Sequence, residues 1–130
     1  MAKILIVEDD EPILQAITFK LVKEGFEVES AGDGIAGLEK LKSNGPFGCV
    51  LLDLRMPRGD GFKFLEAKKD DVGVKDVPVI VFTNLSQREF VDRAVSLGVK
   101  GYLVKAYHGV AEIVDETKKC LEGQAVKIDY

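Results

Sequence analysis

Ile4-Leu5-Ile6-Val7-Glu8-Asp9-Asp10 opens the chain with an unbroken apolar run that ends abruptly in three carboxylates. Four apolar residues in succession, mostly β-branched, fit a strand covered on both faces. The pattern recurs in Val50-Leu51-Leu52, Val79-Ile80-Val81-Phe82 and Tyr102-Leu103-Val104. Phe26-Glu27-Val28-Glu29-Ser30-Ala31 alternates instead, which predicts a half-exposed edge strand. Pro78 stands at the start of its run, where a missing N–H costs little.

Helical spacing fills the gaps between these runs. Ile13, Ile17, Leu21 and Val22 are expected on one face of a first helix, with Pro12 in its first turn and Gly25 at its C-terminal cap. Asp33 is placed to cap a second helix carrying Ile35, Leu38 and Leu41, which Asn44-Gly45-Pro46 ends. Asp60 is placed to cap a third, with Phe64, Leu65 and Ala67. Ser86-Gln87-Arg88-Glu89 has the capping-box pattern and predicts the start of a fourth, stopping at Gly98. A fifth is expected from about His108 to Leu121, closed by Gly123. Five β–α units in succession imply a parallel sheet with helices on both faces, and right-handed crossovers make it doubly wound. In such a sheet ligands bind at the carboxyl ends of the central strands.

Composition sets the outer limits. The chain has 130 residues, enough for one domain with one real core. At 46% hydrophobic and 31% charged it departs from the composition of a disordered chain. No apolar stretch approaches membrane-spanning length. The start of the chain lacks the long apolar segment and cleavage site of a signal peptide, so a cytoplasmic location is expected. The net charge is −4 and the basic residues are scattered, so no nucleic-acid surface is expected. Cys49 and Cys120 form neither a disulfide framework nor a zinc pair, and read as reduced structural thiols.

The chemistry concentrates at strand ends. The first strand ends in Glu8-Asp9-Asp10, the third in Asp53, the fourth in Thr83 and the fifth in Lys105. Singly, each has an ordinary explanation: an aspartate caps the next helix, a threonine sits in a turn, a lysine is solvated. Their convergence on one crevice is what points to chemistry. Clustered carboxylates repel unless a cation intervenes, and an oxygen-only set suits a hard divalent ion such as Mg²⁺. With no histidine or cysteine among these carboxylates, the set argues against zinc. A carboxylate can also act as a nucleophile and form an aspartyl-phosphate. Mg²⁺ and Lys105 would then neutralise charge on the phosphoryl oxygens, and Thr83 could donate to them.

Taken in order, these segments resemble the receiver domain of two-component response regulators. The resemblance rests on Ile4 to Asp10, then Leu51-Leu52-Asp53-Leu54-Arg55-Met56-Pro57-Arg58-Gly59-Asp60-Gly61, Val79-Ile80-Val81-Phe82-Thr83, Gly98 and Gly101-Tyr102-Leu103-Val104-Lys105. It implies a flavodoxin-like (βα)5 fold with strand order 2-1-3-4-5, in residues 1–123, followed by a short tail at 124–130. It implies that Asp53 accepts phosphate and that Glu8, Asp9, Asp53 and the backbone carbonyl of Arg55 serve Mg²⁺ (or Mn²⁺), Glu8 through water. It implies Thr83 as switch hydroxyl, Lys105 as its partner lysine, and Tyr102 as switch aromatic turning inward, with simple packing as the competing role for Tyr102. Asp10 is expected to cap the first helix. The expected donor is a phosphohistidine on a sensor histidine kinase or His-phosphotransfer protein. Output is expected through an unidentified protein target at the fourth helix, fifth strand and fifth helix, with a phosphorylation-dependent homodimer left open, and no turnover as an enzyme is expected.

Two positions depart from the family pattern. Ala106 follows Lys105 where proline is usual with a cis bond, so either this bond is trans and the loop differs, or the peptide is strained. Asn84 follows Thr83 where a small residue is common, and it is expected to hydrogen-bond the phosphoryl group or narrow the entrance. His108 is expected to be a partly exposed cap or surface residue. Three rival readings fit these residues less well. A degenerate receiver that only binds protein could lose the acidic set, Thr83 and Lys105 freely, yet all are present. An aspartyl-phosphate hydrolase needs a second aspartate two residues after the nucleophile, where Arg55 stands. A nucleotide or flavin carrier is disfavoured by the acidic turn Glu8-Asp9-Asp10-Glu11, which lacks Gly-X-Gly and would repel a pyrophosphate.

Overall fold

A computed structural model describes residues 2–56 and 60–130. Pro57, Arg58 and Gly59 of the Asp53 motif lie outside the described residues. The strands are β1 (Lys3–Val7), β2 (Glu27–Ala31), β3 (Cys49–Leu52), β4 (Val79–Thr83) and β5 (Gly101–Val104). They alternate with α1 (Glu11–Lys23), α2 (Gly34–Ser43), α3 (Gly61–Lys69), α4 (Arg88–Ser96) and α5 (Val110–Leu121). All neighbouring pairs are parallel, in the order β2-β1-β3-β4-β5. This is the doubly wound sheet that the β–α alternation implied, in the flavodoxin-like order that the resemblance implied.

The continuous apolar runs have a direct cause. Successive side chains of a strand point to opposite faces, and here both faces are covered. Leu5, Val7, Val50, Leu52, Val79, Val81, Tyr102 and Val104 join one core with residues of α2, α3 and α4. Ile4, Ile6, Cys49, Leu51, Ile80, Phe82 and Leu103 join the other with α1 and α5. Each central strand therefore feeds two cores. β2, at the sheet edge, is only partly buried, as its alternation predicted.

Helix boundaries follow the caps where a side chain supplies them. Asp10, Asp33 and Asp60 accept from Ile13, Ala36 and Lys63 amides at the first turns of α1, α2 and α3. Gly25 and Gly123 follow α1 and α5 at φ +97° and +75°, a conformation glycine adopts without a Cβ penalty. Helix faces differ in detail from the expectation. On α1 the buried residues are Leu14, Ile17 and Leu21, and Val22 is exposed. On α2, Ile35 is exposed while Gly34 and Gly37 are buried, because α2 lies so close that a Cβ on Gly37 would come 2.8 Å from Val7. Ala67 faces solvent on α3. The capping box at Ser86 does not form: α4 starts at Arg88 with no side-chain cap. Leu85 holds the preceding loop elsewhere, donating its amide to Thr83 Oγ1 at 3.4 Å and accepting from the Tyr102 hydroxyl at 2.6 Å.

After β5 the chain makes a single 3₁₀ turn, Lys105–Tyr107, before α5. Among the described residues the one cis peptide is Gly45-Pro46, so the Lys105-Ala106 bond is trans and the short turn is how this loop differs. Among the described residues, no helix is long and apolar enough to cross a membrane.

Candidate functional site

The sheet order brings the carboxyl ends of β1, β3, β4 and β5 side by side. Glu8 follows β1, Asp53 follows β3, Thr83 ends β4 and Lys105 follows β5. They meet at a crevice of about 360 Å³ lined by Asp9, Asp10, Asp53, Arg55, Asn84 and Lys105. Glu8, Asp53 and Thr83 are buried, with 1%, 5% and 0% of their surface exposed. Buried acids at strand ends are not mere loop solvation, so the ordinary explanation for Glu8 and Asp53 fails here.

Asp53 is oriented from two sides. Its Oδ1 accepts from the Arg55 amide at 3.2 Å, and its Oδ2 accepts from Lys105 Nζ at 3.2 Å. Lys105 also donates to Glu8 Oε1 in a close ion pair and lies over the Phe82 ring. Burial pushes the Glu8 carboxyl up to about 7, with the Lys105 hydrogen bond pulling down and Asp53 adding to the rise. Burial also works against the Lys105 ammonium, but Glu8 and Asp53 together hold its pKa above the ordinary 10.5. The lysine therefore stays charged, and it stands beside Asp53 with Ala106, not proline, following it.

One oxygen each from Glu8, Asp9 and Asp53 lies within 4.8 Å of the other two. Three carboxylates carry −3 and Lys105 returns +1, leaving −2 at the mouth when all are ionised. Hard oxygen donors, excess negative charge and an exposed Asp9 open to hydration suit Mg²⁺, which keeps several waters. The donor set thus fits the ion. Asn84 stands exposed at the rim, and Asp10 caps α1 as expected.

Thr83 and Tyr102 meet through Leu85, which bonds to both. Tyr102 stands inward and fully buried. Burial, with the charge of Asp53 added, pushes its phenol from 10.0 up to about 12, so it is a neutral donor at physiological pH. Two features escaped sequence reasoning. Gly61, at the first position of α3, faces the chain just after Asp53: a Cβ there would come 2.6 Å from the Asp53 carbonyl oxygen and 2.7 Å from Leu54 Cα. Its place in the Asp53 motif was the available signal. His108 is a partly exposed cap residue, as expected, but its side chain is only 6% exposed and is held by Glu112 at 3.0 Å and Asp129 at 2.7 Å, partners the sequence did not show.

This fold and strand-end site define a receiver-type signalling class, and similarity to known proteins agrees. The model of the response regulator receiver domain matches residues 4–118, and the chain belongs to that family. It is similar to the transcriptional regulatory protein PdtaR of Mycobacterium tuberculosis, 36% identical over 106 residues, covering 81% of this chain and 50% of that protein. The chain thus spans about half the length of this curated relative. A CheY-like receiver domain protein of Methanospirillum hungatei JF-1 superposes with a TM-score of 0.86 at 28% identity, covering 95% of this chain and 96% of that one. The chemotaxis protein CheY4 of Vibrio cholerae gives 0.84 at 29% identity, covering 92% and 98%.

Proposed function

We propose that this receiver domain accepts a phosphoryl group on Asp53, with Mg²⁺ held by Asp53, Asp9 and the Arg55 carbonyl, and by Glu8 through water. The observation that carries the reading is the buried Asp53 carboxylate, fixed by the Arg55 amide and Lys105 within reach of two further carboxylates. An Asp53 oxygen attacks the phosphorus of a phosphohistidine on a kinase or His-phosphotransfer protein. The P–N bond breaks and the imidazole leaves. When bound, the ion supplies charge neutralisation to the transferred oxygens and lets the carboxylates share one site. Lys105 stabilises the same developing charge from the side of Glu8. Asn84, at the rim, is a further donor to the phosphoryl group.

The switch follows from Leu85. Thr83, drawn toward phosphoryl oxygens, moves the residue whose carbonyl holds the Tyr102 hydroxyl. That gives the two states different contacts, as a population shift requires. The read-out surface is the α4, β5 and α5 face, met by a protein target, or by a second copy on phosphorylation. On this reading residues 1–123 are the receiver unit and 124–130 a segment laid against it. The protein works in the cytoplasm as a signalling switch and not as a turnover enzyme. The test is to add beryllofluoride with Mg²⁺ and follow backbone resonances. Shifts at Thr83, Leu85 and Tyr102 are expected. Their absence, with Mg²⁺ bound, would favour a module that binds protein without phosphate.

A further inference from the structure

Beyond α5 the chain turns back and lies along the outer edge of β5. Ile128 forms a parallel bridge with Tyr102. The Tyr102 amide donates to the Lys127 carbonyl at 3.0 Å, and the Asp129 amide donates to the Tyr102 carbonyl at 2.8 Å. One residue pair further on, the Asp129 carboxylate replaces a strand carbonyl and accepts from the Val104 amide at 2.9 Å. The amides of Tyr102 and Val104, which would otherwise face solvent at a sheet edge, are thereby satisfied.

Side chains fit the segment to the face. Gly101 leaves the space that Val126 fills: a Cβ there would run into the Val126 side chain and sit 3.2 Å from the Lys127 carbonyl oxygen. Asp129 also meets His108 Nε2 at 2.7 Å, and Glu116 of α5 accepts the Lys127 amide at 2.8 Å. Tyr130 lies against the Arg88 guanidinium of α4 at 4.6 Å. The segment touches α4, β5 and α5 at once, yet Gln124, Ala125, Lys127 and Tyr130 are exposed and only one residue pair is bridged. Its hold is short and peripheral, which is the condition for local opening.

We propose that the β5 edge is a docking site for an extended peptide strand of a partner protein, and that residues 126–130 are its built-in, displaceable occupant. The segment's own contacts state the chemistry of that partner. It adds as a parallel strand beside Tyr102, with an apolar residue over Gly101. A carboxylate serves the Val104 amide and His108, and an aromatic residue follows it for Arg88. A partner must compete with residues 126–130 for the edge. The inference stands on strand geometry and does not depend on phosphorylation of Asp53, so its test uses no phosphodonor.

The full chain is compared with Asp129→Ala/Tyr130→Ala and with Val126→Asp/Ile128→Asp by amide hydrogen exchange. A labelled peptide Gln-Ala-Val-Lys-Ile-Asp-Tyr is titrated into each. In the unaltered chain the Tyr102 and Val104 amides should be protected, and in at least one variant they should exchange about tenfold or more faster while the β3 amides stay unchanged. That variant should bind the peptide about tenfold or more tightly than the unaltered chain does, and a peptide with alanine for the aspartate should bind neither. Protection of Tyr102 in both variants would make the segment a permanent strand and overturn the proposal. So would an opened edge that binds no peptide. Dimers of the unaltered chain that alone protect Tyr102 would make a second copy the occupant, and would overturn the built-in arrangement.

Discussion

Tyr102→Phe tests the inward aromatic through its proton. In the folded protein the phenol is pushed from 10.0 to about 12, chiefly by burial, whereas the unfolded chain titrates near the ordinary value. The folded state therefore keeps a proton that the unfolded state gives up. The associated stability is fully present below pH 10 and is lost as pH rises from 10 toward 12. Two units correspond to about 3 kcal/mol when fully expressed, of which roughly 1 is lost by about pH 11. Phenylalanine lacks this linkage but also lacks the 2.6 Å bond to the Leu85 carbonyl, a net loss of about 1 kcal/mol at neutral pH. Urea unfolding followed by circular dichroism should find the variant less stable near pH 8 by about 1 kcal/mol and level with the parent near pH 11. A stability gap that stays constant from pH 8 to pH 11 would show that Tyr102 titrates like an exposed phenol, and would refute its inward placement.

Three further outcomes follow from named contacts. Gly61→Ala should destabilise the fold by about 1–2 kcal/mol in urea, since the clash with the Asp53–Leu54 backbone outweighs alanine's helix preference; unchanged stability would mean α3 approaches less closely. Asp9→Ala should weaken Mg²⁺ binding by at least about tenfold in a fluorescence or calorimetric titration, since even outer-shell groups are worth that much; equal affinity would move the ion elsewhere. The Glu112 hydrogen bond, then Asp129, hold the His108 pKa above 6.5 against burial, with Lys127 and Glu116 beside the segment. The share of the segment's stability that the His108–Asp129 contact contributes is therefore full below pH 6.5 and lost as pH rises through the folded value, so the amide resonance of residue 129 should titrate in that window, and by a smaller amplitude in Asp129→Asn, where Glu112 still holds the imidazole.

The strands were legible because burial on both faces writes itself as unbroken apolar runs, and the strand ends then located Glu8, Asp53, Thr83 and Lys105 together. Caps by Asp10, Asp33 and Asp60 were legible because each is a local side chain-to-backbone bond. What failed depends on distant partners. Val22 and Ile35 carry the right hydrophobicity, but which side of a helix meets the sheet is set by the neighbouring elements: on α2, Leu38 and Leu41 meet the core as expected, while Gly37 makes the close approach to β1 and Ile35 is left exposed. Ser86 has a capping pattern that the contacts of Leu85 with Thr83 and Tyr102 override. The pairing of residues 126–130 with β5 had no local signal, because two apolar residues at alternate positions are too few to announce a strand. The role of His108 was hidden with it, since one of its two partners, Asp129, lies on that segment.

Mg²⁺-dependent phosphorylation of Asp53, as proposed, can be measured directly. The full chain is incubated with acetyl phosphate with and without Mg²⁺, and the adduct is mapped by mass spectrometry. One acid-stable, base-labile phosphate is expected on Asp53, lost without Mg²⁺ and lost in Asp53→Asn. An adduct on another residue, undiminished labelling of Asp53→Asn, or no adduct with Mg²⁺ bound would contradict it.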